Sequence, residues 1–105
     1  MSLLNRKSGS PQPSGQKVSR EFTIENRLGL HARPSARFVK VTTRYKSEIW
    51  VEKDGEKVNG KSIMGLMMLA AGIGSTIRIT GDGPQAEAAV TALCDLVADK
   101  FGEEE

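Results

Sequence analysis

The sequence predicts an α+β domain in which three helices cover one face of an antiparallel sheet whose other face is open to water. Segments in which apolar and polar side chains alternate take turns with segments that carry a helical apolar stripe, in the order βαββαβα. Glycine-containing turn signals separate several of these segments. With 105 residues, of which 38% are hydrophobic, the chain supports one domain with a core of modest size.

Residues 1–17 are predicted to form a flexible tail, so we place the domain at residues 18–105. The tail is rich in Ser, Gly, Pro and Gln without periodicity, so it cannot bury enough surface to offset the entropy of ordering. Residues 1–20 hold four basic and no acidic side chains, which leaves 11 basic and 13 acidic ones in the other 85 residues. The net charge of +2 therefore does not predict a core that binds nucleic acid.

The first half of the domain should begin with a strand and a helix. Phe22 and Ile24 alternate with polar neighbours, as the inward-facing residues of a half-buried strand do. Residues 26–29 are predicted to form a turn, and a helix should extend from there to about Thr43.

A β-hairpin is predicted next. Over residues 48–52 the odd positions are apolar and the even positions are Glu, Trp and Glu, which indicates a strand with its odd positions inward. The tight-turn signal Asp54-Gly55 then leads into a third strand at residues 56–59. Trp50 would lie on the open face, where it either covers neighbouring strands or stacks on a ligand.

The last third should contain a short helix, a strand and a long helix. Ser62 begins an apolar helix that ends near Leu69, and residues 76–80 alternate again as the fourth strand. A turn at residues 81–83 precedes Pro84, which suits the first turn of the last helix. The core face of that helix has amphipathic spacing and consists of Ala86, Val90, Leu93, Val97 and Phe101.

The cysteine and hydropathy patterns predict a cytoplasmic protein that does not insert into a membrane. The single Cys94 cannot form an internal disulfide, and the N-terminus lacks the apolar block of a signal peptide. No run approaches the roughly 20 apolar residues that cross a bilayer. One histidine and one cysteine do not make a metal site, so we expect neither a metal nor a cofactor.

The candidate chemistry lies in residues 29–34, which contain His31, the only histidine of the chain. A helix start leaves backbone N–H groups unpaired and favours anions, so a histidine there is held neutral, as a nucleophile must be. The N–H groups of Ala32 and Arg33, together with the Arg33 side chain, could hold a phosphoryl group on the ring. The blander interpretation is a solvated or capping histidine.

Two surfaces lie beside this segment, and the first has two interpretations. The basic side chains of the first helix fall within a narrow arc that is either a solvated face or a docking surface, centred on Arg37 and Lys40, for an acidic partner. The short helix is apolar nearly all round, so some of its large side chains should be exposed as an adaptable contact patch. Ser62 is most simply the N-cap of this helix. The basic arc comprises Arg33, Arg37, Lys40 and Arg44, and the exposed apolar candidates are Ile63, Met64, Met67 and Met68.

Two motifs at a fixed spacing carry a resemblance to a family. Residues 29–35 read Gly-Leu-His-Ala-Arg-Pro-Ser, and 31 residues after His31 comes Ser62, within Asn-Gly-Lys-Ser-Ile-Met-Gly-Leu-Met at residues 59–67. Together they resemble the histidine-containing phosphocarrier protein HPr family of the bacterial phosphoenolpyruvate-dependent phosphotransferase system. The resemblance covers about residues 20–102 and implies an open-faced βαββαβα sandwich with a four-stranded antiparallel sheet.

The resemblance implies a role for each motif. His31 matches the family's phosphohistidine, which enzyme I modifies on Nδ1 and which passes its phosphoryl group to enzyme IIA-type acceptors in carbohydrate uptake. Arg33 matches the arginine that accompanies it, and Ser62 matches a regulatory serine that an HPr kinase/phosphorylase modifies in many members. The family's apolar docking patch corresponds to Ile63, Met64 and Met67.

The resemblance thus implies a monomeric carrier rather than a turnover enzyme. Leu28 departs from the pattern, since some members have a small polar residue three places before the histidine; the backbone donors do not depend on that side chain. Within the family, a regulatory, nitrogen-type branch is the alternative to sugar uptake. A nucleic-acid-binding α+β module is the alternative from another class, although the sheet offers no aromatic stacking residue beyond Trp50.

Overall fold

The computed structural model describes residues 16–103, in which a four-stranded antiparallel sheet carries three helices on one face. The order βαββαβα is confirmed, and the strands lie side by side as β1-β4-β2-β3. The predicted tail lies outside the described residues as far as Gly15, and its division from the domain stays a prediction. The elements are β1 Lys17–Thr23, α1 Ala32–Thr42, β2 Glu48–Lys53, β3 Glu56–Asn59, α2 Ile63–Met68, β4 Thr76–Asp82 and α3 Ala86–Ala98.

The two faces of the sheet differ as the alternation predicted. Odd positions of β2 and β4 point into the core, where Ile49, Val51, Ile77 and Ile79 are buried beneath the helices. The outer face is polar, and Glu21 on β1 forms an ion pair with its cross-strand neighbour Arg78 (3.0 Å). Polar cross-strand pairs of this kind stabilise a sheet face that meets water.

Trp50 lies half-buried on this outer face. The Lys57 ammonium lies over its ring, 5.5 Å from the centroid, which is within the range of a cation–π contact. The geometry favours the interpretation in which Trp50 covers a neighbouring strand.

Two boundaries in the last third differ from the prediction. β4 continues to Asp82, two residues beyond the predicted end, because Gly81 and Asp82 pair with β1 on one side and β2 on the other. Pro84 lies in the turn before α3 rather than in its first turn, since that helix begins at Ala86.

The core face of α3 also ends earlier than predicted. The helix stops at Ala98, so Phe101 is not part of its stripe, although its side chain is fully buried. The backbone instead turns left-handed over residues 100–102, with φ values of 54°, 56° and 78°. Burial of the phenyl ring stabilises this turn against the cost of positive φ at two residues that are not glycine.

The segment that leads into α1 is fixed by the loop after α2. Leu30 donates its N–H to the Ala71 carbonyl (2.9 Å), and Ile24 exchanges backbone hydrogen bonds with residues 74 and 75. Gly29 has a φ of +67°, and a Cβ there would lie 2.2 Å from the Ala71 carbonyl oxygen. Only glycine therefore permits this close approach, which sets the start of α1.

Among residues 16–103, no helix is long and apolar enough to cross a membrane.

Candidate functional site

His31 is the N-cap residue of α1, with an extended backbone (φ −80°, ψ −169°). Its carbonyl accepts the N–H of Ser35 (3.0 Å), and Pro34 has no N–H to offer. In the first turn this leaves the N–H groups of Ala32 and Arg33 as the donors at the positive end of the helix. An anion attached to the His31 ring would therefore meet two backbone donors and the exposed Arg33 side chain.

The packing of α1 determines which way this end faces. Pro34, Ser35, Phe38 and Thr42 are buried against the core. The Ser35 hydroxyl also donates to the Leu30 carbonyl (3.2 Å), which closes the turn before the helix. His31 is left at the rim of the domain with 35% of its side chain exposed.

The ring of His31 has a partner that the sequence did not predict. Its Nε2 lies 3.1 Å from Oε2 of Glu103, whose side chain is only 17% exposed. The Asn26 amide nitrogen holds the other oxygen of the same carboxylate at 3.0 Å and also donates to the Gly29 carbonyl at 2.8 Å. Asn26, Gly29, His31 and Glu103 thus form one connected group.

The left-handed turn after α3 brings Glu103 to this group. Arg37 of α1 donates a hydrogen bond from its guanidinium to the carbonyl of Phe101. Gly102 lies directly beside the same guanidinium, and a Cβ at that position would be 2.9 Å from Arg37 Nη1. No sequence pattern links Glu103 to His31, because 72 residues separate them.

The predicted basic arc exists, but its members are in different environments. Arg33, Lys40 and Arg44 are exposed, whereas Arg37 is half-buried through its contact with Phe101. Three of the four basic residues line a shallow groove together with Leu96 of α3 and Asp99, the residue that follows this helix; these three are Arg37, Lys40 and Arg44.

An apolar surface adjoins His31. An open hollow of about 260 Å³ is lined by His31, Leu28 and Met67, together with residues 70–72. The predicted exposure of α2 is confirmed, with Met64 73% exposed and Met67 42% exposed. Sequence reasoning missed the contribution of Leu28 and Ile73 to this surface. Both side chains are exposed, but they lie in loops, where no periodicity marks them. The exposed large apolar residues are Leu28, Ile63, Met64, Met67, Met68 and Ile73.

Ser62 is the N-cap of α2, as predicted. Its hydroxyl oxygen accepts the N–H of Gly65 at 3.0 Å, and the side chain is half-buried. The serine lies at the opposite end of α2 from Met67, the α2 residue that lines the hollow beside His31.

Comparisons with known proteins agree on one family. The family model described as the PTS HPr component phosphorylation site matches residues 18–99. The chain is 48% identical over 88 residues to the phosphocarrier protein HPr of Cupriavidus necator, covering 84% of this chain and 99% of that one. It is 40% identical over 87 residues to the phosphocarrier protein NPr of Shewanella violacea, covering 83% and 96%.

Solved structures give the same result. HPr-C-His from Thermoanaerobacter tengcongensis is 47% identical, with a TM-score of 0.78 over 86% of this chain and 99% of that one. An HPr dimer from the same organism is 49% identical, with a TM-score of 0.67 over 80% and 99%.

Proposed function

Since this chain belongs to the HPr phosphocarrier family of the phosphotransferase system, we propose that His31 accepts a phosphoryl group on Nδ1 from phosphorylated enzyme I and passes it to enzyme IIA-type acceptors in carbohydrate uptake. The observation that carries the proposal is the position of His31 as N-cap of α1 with Nε2 engaged by Glu103. Engagement of Nε2 leaves Nδ1 as the ring nitrogen with an available lone pair.

The transfer needs no group beyond the two proteins. The Nδ1 lone pair attacks phosphorus, the bond from phosphorus to the donor atom of enzyme I breaks, and its electron pair stays on that atom. The N–H groups of Ala32 and Arg33 would hold the phosphoryl oxygens, and the guanidinium of Arg33 would balance their charge. Discharge to an acceptor is the corresponding step with His31 as the donor. Both steps can proceed only if the phosphohistidine is stabilised moderately.

Partner docking in this proposal uses the two surfaces beside His31. Lys40 and the neighbouring Arg44 give a positive region for an acidic partner, while Ile63, Met64 and Met67 give an adaptable apolar region. Arg37 also belongs to the basic arc, but its guanidinium donates a hydrogen bond to the Phe101 carbonyl. A substitution of Arg37 would therefore affect both partner docking and the left-handed turn.

Phosphorylation of Ser62 by an ATP-dependent kinase is the proposed regulation. A phosphate at a helix N-cap is locally favourable, so the fold should persist. It would place negative charge next to the apolar docking residues and thereby disfavour partners that are selected for a positive surface.

The direct experiment is labelling of the chain with phosphoenolpyruvate and enzyme I, followed by mapping of the modified residue. Acid-labile phosphate on His31 is the expected product. No label, or label on another residue, would refute the proposal.

A regulatory, nitrogen-type branch is the second candidate, and the similarity to the Shewanella NPr supports it. Labelled protein offered to sugar-type and nitrogen-type acceptors would separate the branches, since the cognate acceptor should be labelled faster. We also propose a monomer, which light scattering at working concentrations would test; a dimer would contradict it.

A further inference from the structure

We infer that Glu103 is a positioning residue for His31, and that its carboxylate holds the ring in the tautomer whose proton is on Nε2. An ionised carboxylate can only accept hydrogen bonds, so the 3.1 Å contact between Nε2 and Oε2 places the proton on Nε2. The lone pair then lies on Nδ1, the atom that the proposed function makes the phosphoryl acceptor, and the inference rests on that function.

The carboxylate is oriented from its other side by Asn26. The fully buried Asn26 amide nitrogen donates both to Glu103 Oε1 (3.0 Å) and to the Gly29 carbonyl (2.8 Å). The opposite amide orientation would turn the Asn26 oxygen towards two acceptors, so these contacts fix the orientation. The Asn26 oxygen is buried and has no hydrogen-bond partner among the residues that the structure describes, so the polar contacts of this side chain are all made by its nitrogen.

A second anchor holds the backbone that carries Glu103. The guanidinium of Arg37 donates to the Phe101 carbonyl, and the phenyl ring of Phe101 is fully buried. Residues 100–102 all have positive φ, and only Gly102 adopts such values without strain. The turn is therefore set by tertiary contacts, and it delivers Glu103 to the ring of His31.

The position of the charge suits the transfer step. When Nδ1 bonds to phosphorus, the ring gains positive charge that Nε2–H shares. Glu103 contacts Nε2 directly, whereas the phosphoryl group is attached to the opposite nitrogen. The carboxylate therefore lies nearer to the ring cation than to the phosphoryl oxygens, and the hydrogen bond that it accepts from Nε2–H strengthens as the positive charge of the ring develops.

The first test observes the tautomer without any transfer reaction. His31 is the only histidine, so one ring signal set in a ¹⁵N-labelled, untagged chain belongs to it. Above the usual titration range of histidine, wild type should show a slowly exchanging Nε2–H proton. Glu103→Ala and Glu103→Gln should lose or weaken this signal, and Glu56→Gln, which removes an exposed charge from β3, should retain it.

The second test measures reactivity without a protein partner. Phosphoramidate is a small donor that would phosphorylate Nδ1 and release ammonia. The Glu103 variants should react about fivefold more slowly than wild type, the scale of one charge-assisted hydrogen bond at a partly exposed site, while Glu56→Gln reacts at the wild-type rate. Backbone amide spectra of each variant would verify that the fold is intact.

The two readouts together decide the inference. A ring signal that survives in both Glu103 variants would overturn it, and so would a loss of the signal with an unchanged reaction rate, since the contact would then be structural only. A slower reaction with an unchanged ring signal would also overturn it. Failure of enzyme I to label wild type would refute the proposed function but leave both readouts intact.

Discussion

Arg37 donates a hydrogen bond from α1 to the backbone carbonyl of Phe101, across 64 residues of sequence. This contact divides the basic arc of α1 into two kinds of residue. Arg37 holds the turn that follows α3, whereas Lys40 and Arg44 are exposed and keep their charges available to a partner. A charge reversal at Arg37 would therefore change the turn as well as the electrostatic field, so Lys40 is the cleaner probe of docking.

Lys40→Glu is expected to slow phosphoryl transfer from enzyme I severalfold at low salt, because it reverses a charge on the surface proposed to attract an acidic partner. The difference should shrink near 0.15 M salt, where the Debye length is about 8 Å. The rate of labelling by enzyme I, measured in quenched samples over a series of salt concentrations, determines both effects. Lys46→Glu, an equal charge reversal in the loop before β2, is the control. Equal slowing in both variants would show that the basic arc is a solvated face and not a docking surface.

Gly29→Ala should destabilise the domain by about 2–4 kcal/mol, since it adds both a residue at positive φ and a clash with the Ala71 carbonyl. Gly74→Ala is the matched control, because its φ is +86° but a Cβ there meets no atom within 4 Å. It should cost only about 1 kcal/mol. Urea denaturation compares the two, and equal losses would show that the approach of the two loops can relax.

Local patterns predicted the elements well, and the reasons are visible in particular residues. The alternation of Ile49 and Val51 with polar neighbours marked β2, and Asp54-Gly55 forms its turn with φ values of 52° and 83°. Ser62 caps α2 as its position before an apolar run suggested. Each of these features depends on neighbours within a few residues, which a sequence displays directly.

The surroundings of His31 could be predicted only in part. The helix start, Arg33 and the basic arc follow from local spacing, and the family resemblance supplied their roles. The contact with Glu103 depends on a left-handed turn at Lys100 and Phe101, residues whose types give no signal for positive φ. Phe101 continues the apolar spacing of α3, so the sequence predicted that it lies in that helix. Its backbone is instead left-handed.

His31→Ala should abolish labelling by phosphoenolpyruvate and enzyme I, because it removes the proposed acceptor nitrogen. The fold should persist, since the side chain is partly exposed and packs at the rim. Arg33→Ala should still be labelled, roughly tenfold more slowly, because the backbone donors remain. Uptake of acid-labile phosphate by His31→Ala, measured by radiolabel, would contradict the proposed function.

Met67→Ser is expected to raise about fivefold the KM that enzyme I shows for this protein, since Met67 lines the hollow beside His31. The melting temperature should change little, because the Met67 side chain is 42% exposed. Met68→Ser is a control of the same type on the same helix, and Met68 does not line that hollow. Steady-state kinetics with phosphoenolpyruvate measures both variants. If the two raise KM equally, the apolar surface contributes only by its total area and not by its position next to His31.

Ser62→Ala should lower the free energy of unfolding by about 1 kcal/mol, since the hydroxyl that accepts the N–H of Gly65 is lost. Ser62→Asp should keep the cap, because a carboxylate at an N-cap accepts the same bond and suits the helix dipole. The two variants therefore separate stability from regulation. If charge at this position is what regulates docking, Ser62→Asp should slow transfer from enzyme I while Ser62→Ala transfers at the wild-type rate. Slow transfer in Ser62→Ala alone would instead show that the cap, and not the charge, maintains the docking surface.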